Sequence, residues 1–325
     1  MMLFLFNLNN MVFYTESDWR GVMSHIFKLA FIFIINIIFL INASATTMDK
    51  DKFVEANGIK IHYVEEGEGP PLLLIHGGGL TAKSWQGLAK EASRYFRVIM
   101  PDSRGHGLTN NPQGTFSYDL MTEDMAAFVK ALKLEKPLVM GYSDGGMVVL
   151  KLTSRYPDLA RAAIVGGATH RFATTHYMQG MEIFYGKGMP QGQLTDRDLD
   201  KMASDAPGMV KFYQNMHHPE QKDYWRTFLK GVWPMWTTPT SLAEEEVKKI
   251  HIPVLLLDGD RDEFFTVEEV TELYRLLPQA EMTLIPGSGH AIFLTPGKTP
   301  LFYALVLEFL QRQIPKASSL TAMDV

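Results

Sequence analysis

Residues 138–150 constrain the fold more than any other stretch of the chain. The apolar run Leu138-Val139-Met140-Gly141-Tyr142 passes through Ser143-Asp144-Gly145 directly into Gly146-Met147-Val148-Val149-Leu150. A buried strand that becomes a helix within so few residues must turn sharply. The turn forces strained backbone angles on the residue at its apex and pushes that side chain outward. That residue is Ser143. Gly141 and Gly145 stand two positions to either side of it, where a side chain would collide with the neighbouring strand and helix. Gly-x-Ser-x-Gly alone is a common turn, but with a strand predicted before it and a helix after it, Ser143 becomes a candidate nucleophile.

The same grammar recurs along the chain. Leu72 to Ile75, Val98 to Pro101, Leu138 to Tyr142, Ala162 to Val165, Val254 to Leu257 and Met282 to Ile285 are short apolar runs that read as buried parallel strands. Helical spacing marks Ser84 to Phe96, Tyr118 to Leu134, Gly145 to Tyr156, Val267 to Leu277 and Pro300 to Gln313. Lys52 to Ala56 and Ile59 to Glu65 flank Asn57-Gly58, a hairpin signal, so an antiparallel pair opens the domain. The expectation is an α/β fold with a doubly wound, mostly parallel sheet. From 169 to 249 the alternation breaks: no strand is predicted, and Met, Trp, Tyr and Phe recur at helical spacing. This stretch reads as a helical cap inserted into a core made of residues 46–168 and 250–315, with 316–325 as a tail. Its aromatic residues can line a pocket, yet an inserted layer also needs its own core, so packing is the first expectation for each.

Composition removes several function classes. With 46% hydrophobic and 21% charged residues the chain is a folded globular protein. Its 31 Lys and Arg against 36 Asp and Glu leave a net charge of −5, without the basic field that a nucleic-acid partner requires. There is no cysteine, which excludes disulfides, thiolate zinc sites, iron–sulfur clusters and a thiol nucleophile.

A serine hydroxyl needs a base to take its proton, usually histidine. Of the ten histidines, His290 follows Gly287-Ser288-Gly289 just past a predicted strand, at the carboxyl edge of the sheet where Ser143 also emerges. His217 and His218 lie in the insertion and read as surface residues, while His62 and His251 read as structural. The base needs an acid to orient it. Asp262, on the loop Asp258-Gly259-Asp260-Arg261-Asp262 after the strand ending at Leu257, competes with Asp258 and Asp260 for that role. His76-Gly77-Gly78-Gly79 follows the strand ending at Ile75, so its N–H groups can stabilise an oxyanion together with the N–H of Asp144. A phosphate cradle would require a Lys-Ser/Thr ending that the loop lacks. Asp102-Ser103-Arg104-Gly105-His106-Gly107 reads as a structural turn.

The amino-terminal region reads as an address. Residues 29 to 41 are apolar, Lys28 precedes them and Asn42-Ala43-Ser44-Ala45 follows, which is the order of a signal peptide cleaved after Ala45. Met23 is an alternative start that gives a more ordinary leader. The expectation is export to the periplasm or the medium with no stable membrane span after cleavage. The competing reading, an anchor through residues 29–41, falls short of the ~20 apolar residues that span a bilayer.

His76-Gly77, Asp102-x-Arg104-Gly105-His106-Gly107, Gly141-Tyr142-Ser143-Asp144-Gly145-Gly146, Gly259-x-x-Asp262 and Gly289-His290 together resemble the α/β-hydrolase superfamily over roughly Lys52 to Gln313. The resemblance decides among the aspartates and implies a triad of Ser143, Asp262 and His290. It also implies oxyanion donors at Gly78 and Asp144, and a helical cap in the inserted segment. Serine at 143 differs from the aspartate nucleophile of haloalkane dehalogenases and epoxide hydrolases. Asp144 differs from the tryptophan of proline iminopeptidases. Ala291-Ile292-Phe293 lacks the tryptophan that carbon–carbon bond hydrolases often carry near the histidine. The three-glycine motif is similar to that of hormone-sensitive-lipase-like esterases, but their serine motif reads Gly-Asp-Ser-Ala-Gly, which leaves Gly79 incidental. The reading that survives is a serine hydrolase of a small-molecule carboxylic ester, with an apolar acyl or aryl group held near Trp233, Trp236, Tyr142 and Phe293. No metal or organic cofactor is required, because nucleophile, base and oxyanion donors are all protein groups. The alternatives are lactone, thioester, amide or C–C hydrolysis or cofactor-free haloperoxidase chemistry on the same residues, and a ligand-binding protein of this fold.

Overall fold

Asn57 (φ 49°) and Gly58 (φ 74°) both adopt left-handed backbone, as a two-residue hairpin turn requires. They join β1 (Lys52–Ala56) to β2 (Ile59–Glu66) with Ala56 opposite Ile59. The computed structural model describes residues 51–314, so the expected leader 1–45, the alternative start at Met23 and the tail 316–325 lie outside the described residues.

The next strands are β3 (Pro71–Ile75), β4 (Arg97–Pro101), β5 (Leu138–Tyr142) and β6 (Ala162–Gly166). After them come a pair of two-residue strands, β7 (Arg171–Phe172) and β8 (Thr240–Ser241), then β9 (Val254–Gly259) and β10 (Ala280–Ile285). Eight strands form one sheet in the order β1-β2-β4-β3-β5-β6-β9-β10. β1/β2 and β2/β4 pair antiparallel and every other pairing is parallel, which is the expected mostly parallel sheet.

The period of two along a strand divides the core between the faces. Leu72 and Leu74 of β3, Val98 and Met100 of β4, Leu138 and Met140 of β5 and Leu255 and Leu257 of β9 pack into one cluster with α1 (Gln86–Ala92) and with the carboxyl-terminal helix, which supplies Phe302, Val306, Phe309 and Leu310. α2 (Tyr118–Ala131) and α3 (Asp144–Arg155) pack on each other, and α3 also packs on β3, β5 and β6. Because the central strands are buried on both faces, their sequences read as unbroken apolar runs. The helix expected over Ser84 to Phe96 is shorter. A 3-10 turn over Ala82–Trp85 precedes α1, with the N–H of Ala82 donating to Asp102 Oδ1 at 2.8 Å. The chain then leaves the helix where Gly67 packs against the Ser93 and Phe96 carbonyls.

Between β6 and β9 lie α4 (Thr175–Tyr185), α5 (Asp196–Asp205), α6 (Pro207–Met216), α7 (Tyr224–Thr237) and the one-turn α8 (Glu244–Val247). α5 opens with a reciprocal Thr195–Asp198 capping box, and α6 with Pro207 in its first turn, where no backbone donor is lost. Met209, Phe212, Tyr213, Trp225, Phe228, Trp233 and Trp236 are all buried, so this layer has a core of its own. The expectation of no strand between 169 and 249 is corrected by β7 and β8, which pair Arg171 with Ser241 and Phe172 with Thr240 at the two ends of the helical stretch. Two residues are too few to carry an alternation signal. Beyond β9 come α9 (Val267–Leu276), opened by a Thr266–Glu269 capping box, and α10 (Thr299–Arg312). No helix among the described residues is long and apolar enough to cross a membrane.

Candidate active site

β5 delivers Ser143 into the turn that the sequence predicts. Its backbone sits at φ 56°, ψ −120°, a conformation that a non-glycine residue adopts only under constraint from its surroundings. The constraint is visible. A β-carbon on Gly141 would lie 2.0 Å from the Gly145 carbonyl oxygen, and one on Gly145 would lie 2.2 Å from that of Ile75. The Ser143 N–H donates to the Gly166 carbonyl at 2.8 Å, which fixes the turn to β6. Tyr142 and Asp144 on either side are buried, while Ser143 keeps partial exposure.

Asp262 and His290 reach the same edge of the sheet from the loops after β9 and β10. Asp262 Oδ2 lies 2.7 Å from His290 Nδ1, and its Oδ1 accepts the N–H groups of Phe264 (2.6 Å) and Phe265 (3.0 Å). Among the three competing aspartates, Asp262 is therefore the one bonded to the imidazole. Asp260 accepts from the Gly287 N–H at 2.6 Å, and Asp258 is buried behind the pair. Burial works against the imidazolium of His290, but the charge and hydrogen bond of Asp262, with Glu263 and Asp144 nearby, outweigh it and raise the pKa above the ordinary 6.5.

Two supports of His290 have no sequence signal. Glu263 Oε2 accepts the His290 N–H at 2.8 Å, and the Tyr142 hydroxyl donates to the His290 carbonyl at 2.6 Å. Tyr142 thus ties the loop of the histidine to the strand that carries the serine. Phe293 stands behind it, with ring centroids 5.5 Å from Tyr142.

The loop after β3 lies against the serine turn. A β-carbon on Gly77 would sit 3.2 Å from Ser143 Cβ, and one on Gly78 would sit 2.6 Å from Asp144 Oδ2 and 2.9 Å from Trp236 Cζ2. Leu80 N–H closes a turn onto the Gly77 carbonyl at 3.2 Å with Gly79 at φ +68°, so the third glycine is required by the turn and is not incidental. Two histidines hold it. His106 Nε2 accepts the Gly79 N–H at 3.3 Å, and His217 Nε2 donates to the Gly79 carbonyl at 3.1 Å. His217 Nδ1 accepts the Gly107 N–H at 3.0 Å, which fixes its tautomer. The expectation that His217 is a surface residue is therefore corrected: it is fully buried, and burial drives its pKa down to about 3. The 102–107 segment is the expected structural turn, with Arg104 making a two-pronged bond to Asp124 (2.8 and 2.7 Å) and His62 paired to Asp102 at 2.7 Å.

Asp144 joins the inserted helices to the serine. Its Oδ1 accepts the Tyr118 hydroxyl at 3.0 Å and its Oδ2 the Trp236 indole N–H at 2.6 Å. Burial raises the carboxyl to about 6, against the pull of those two bonds and of His290. Trp233 spends its N–H on the Pro190 carbonyl at 2.7 Å and forms one wall of a cavity of about 340 Å³, shared with Met178, Met181, Glu182, Met189 and Pro239. That cavity belongs to the inserted layer, and neither Ser143 nor His290 lines it. Among the described residues no group of three or more His, Asp or Glu side chains converges as metal ligands would.

Known proteins resemble this chain in sequence and in fold. The chain is 26% identical over 250 residues to the AB hydrolase superfamily protein YisY of Bacillus subtilis, covering 71% of this chain and 89% of that one. It is 25% identical over 280 residues to 2-hydroxy-6-oxo-2,4-heptadienoate hydrolase of Pseudomonas putida, covering 80% and 95%. A serine hydrolase from the polyaromatic-hydrocarbon-degrading bacterium Cycloclasticus zankles superposes with a TM-score of 0.66 at 20% identity, over 82% of this chain and 99% of that one. The profile of the alpha/beta hydrolase family matches residues 72–299, a span that contains the serine turn, the Asp262 and His290 loops and all the inserted helices, and the chain belongs to that family.

Proposed function

We propose that the protein hydrolyses carboxylic esters of small or medium apolar acids through an acyl-enzyme on Ser143. The observation that carries this reading is the 2.7 Å Asp262–His290 pair at the sheet edge where Ser143 stands in its strained turn. Ser143 Oγ attacks the ester carbonyl while His290 accepts its proton and passes it to the leaving alcohol. Water, activated by the same imidazole, then releases the acid. Asp262 holds the imidazole tautomer. The N–H groups of Gly78 and Asp144 receive the developing oxyanion. The inserted helices act as the cap over the acyl group, with Trp236, which stands beside Gly78 and Asp144, supplying apolar surface.

A second reading, hydrolysis of a carbon–carbon bond, is supported by the similarity to dienoate hydrolases such as that of Pseudomonas putida.

The test is a series of p-nitrophenyl esters from acetyl to dodecanoyl, with Ser143→Ala alongside. Turnover is expected to fall at least ~10⁴-fold in the variant. Free imidazole is the working base, so kcat/KM should drop as pH falls through the His290 pKa, which lies above 6.5. Folded wild-type protein that cleaves a vinylogous diketone acid but no ester would overturn the ester reading in favour of C–C hydrolysis.

A further inference from the structure

Two buried carboxyl groups stand together behind His290, and they are supplied very differently. Asp262 receives three donors: His290 on Oδ2 and the N–H groups of Phe264 and Phe265 on Oδ1. Asp258, the penultimate residue of β9, is 2% exposed. Its Oδ1 accepts the Gly259 N–H at 2.7 Å, whereas its Oδ2 is enclosed and no N–H or hydroxyl group donates to it. The group that acts most strongly on that carboxyl is Asp262, which stands within reach of a side-chain hydrogen bond. Such a bond requires a proton, because two carboxylates have only lone pairs to offer each other. Asp262 already accepts three donors as a carboxylate and has a lone pair left for a fourth, whereas the enclosed Oδ2 of Asp258 accepts none, so the proton is assigned to Asp258.

We propose that Asp258 is a neutral carboxylic acid whose O–H donates to Asp262, and that it is a positioning residue setting the basicity of Asp262 and, through it, of His290. This rests on His290 being the base of the proposed reaction. The groups around the pair agree with it. Tyr142 on β5 has its hydroxyl committed to the His290 carbonyl, and Glu263 has Oε2 committed to the His290 N–H. His176 of α4 reaches the Asp262 carbonyl at 3.3 Å, and Asp144 acts on His290 from the start of α3. None of these gives Asp258 a cation. Burial and the adjacent Asp262 charge hold its carboxyl well above the usual carboxylate range, while the charge and hydrogen bond of His290 keep Asp262 low despite its burial. The consequence is chemical. A second buried carboxylate would drive proton uptake by His290 and occupy the base, whereas a neutral donor spreads the Asp262 charge and leaves the imidazole free at lower pH.

Asp258→Asn retains both a donor for Asp262 and an acceptor for Gly259 and exchanges one neutral group for another, and Asp258→Ala removes the donor. The readout is the His290 Cε1–H titration by NMR in the full chain carrying Ser143→Ala, which needs no turnover. The kcat/KM profile of the corresponding single variants accompanies it. Asp258→Asn should leave the His290 titration in place, and Asp258→Ala should raise it by about one unit, moving the acid limb of kcat/KM with it. Infrared spectra at about pH 8, where Asp144 is ionised, should show a protonated-carboxyl C=O stretch that Asp258→Asn removes. A downward shift in Asp258→Asn with no such band would mean that Asp258 is charged and would overturn the proposal. An unmoved titration in Asp258→Ala would overturn the positioning role. Absence of ester turnover with both spectroscopic results as expected would refute the ester reading and leave the proton assignment standing.

Discussion

Gly78 has no room for a side chain, and what fills the space is the carboxyl of Asp144 and the ring of Trp236. Relieving a β-carbon there means moving Asp144, whose own N–H is the second proposed oxyanion donor. Gly78→Ala is expected to lower kcat by about 10²-fold, the usual scale for a displaced oxyanion donor. Steady-state kinetics beside a thermal melt will show whether KM and the fold stay close to wild type. At this scale the sequence was unevenly legible. Ser143, Asp262 and His290 could be proposed because each lies on a loop just past a strand of the parallel sheet, so a local pattern marks them. Glu263, Asp258 and His217 act through the backbone or through another buried group, and no residue spacing announces that. Nothing in the sequence announced that the indole N–H of Trp236 is bonded to Asp144.

At the scale of elements, the inserted helices do more than cover. His217, which caps the end of α6, braces two core loops by bonding Gly79 and Gly107, which lie 138 and 110 residues away in the chain. That separation is why its role is invisible in sequence. His217→Phe keeps the ring packed against Phe228, whose centroid is 4.3 Å away, but leaves a buried carbonyl and a buried N–H unpaired. It should cost about 2–4 kcal/mol in denaturant unfolding and reduce kcat about 10-fold. Because the imidazole has a pKa of about 3, both losses should be constant from about pH 5 to about pH 9. A deficit that grew toward acid pH would show a charged histidine and contradict the brace. The strands, by contrast, were readable to within about two residues, since burial on both faces leaves an apolar run that turn residues punctuate. Only β7 and β8 escaped, being too short for any period.

For the molecule as a whole, the parallel sheet and the site at its carboxyl edge followed from the order of strands, helices and turns. Composition narrowed the chemistry by removing the thiol nucleophile. The proposed export of the chain has a direct check. Amino-terminal sequencing of protein recovered from the periplasm or medium should begin at Thr46, and membrane-bound protein that keeps residues 29–41 would establish the anchor in its place. The bond from Trp236 to Asp144 bears on how such a molecule can be altered. Specificity in a layered enzyme is readily pictured as a replaceable lid on a conserved engine. Here an inserted helix supplies an indole to the residue beside the proposed nucleophile, so a transplanted set of helices without a donor at that point would strand a buried carboxyl. Positions 144 and 236 should therefore be exchanged together in any chimera, and in diverging descendants of this chain they should change as a pair.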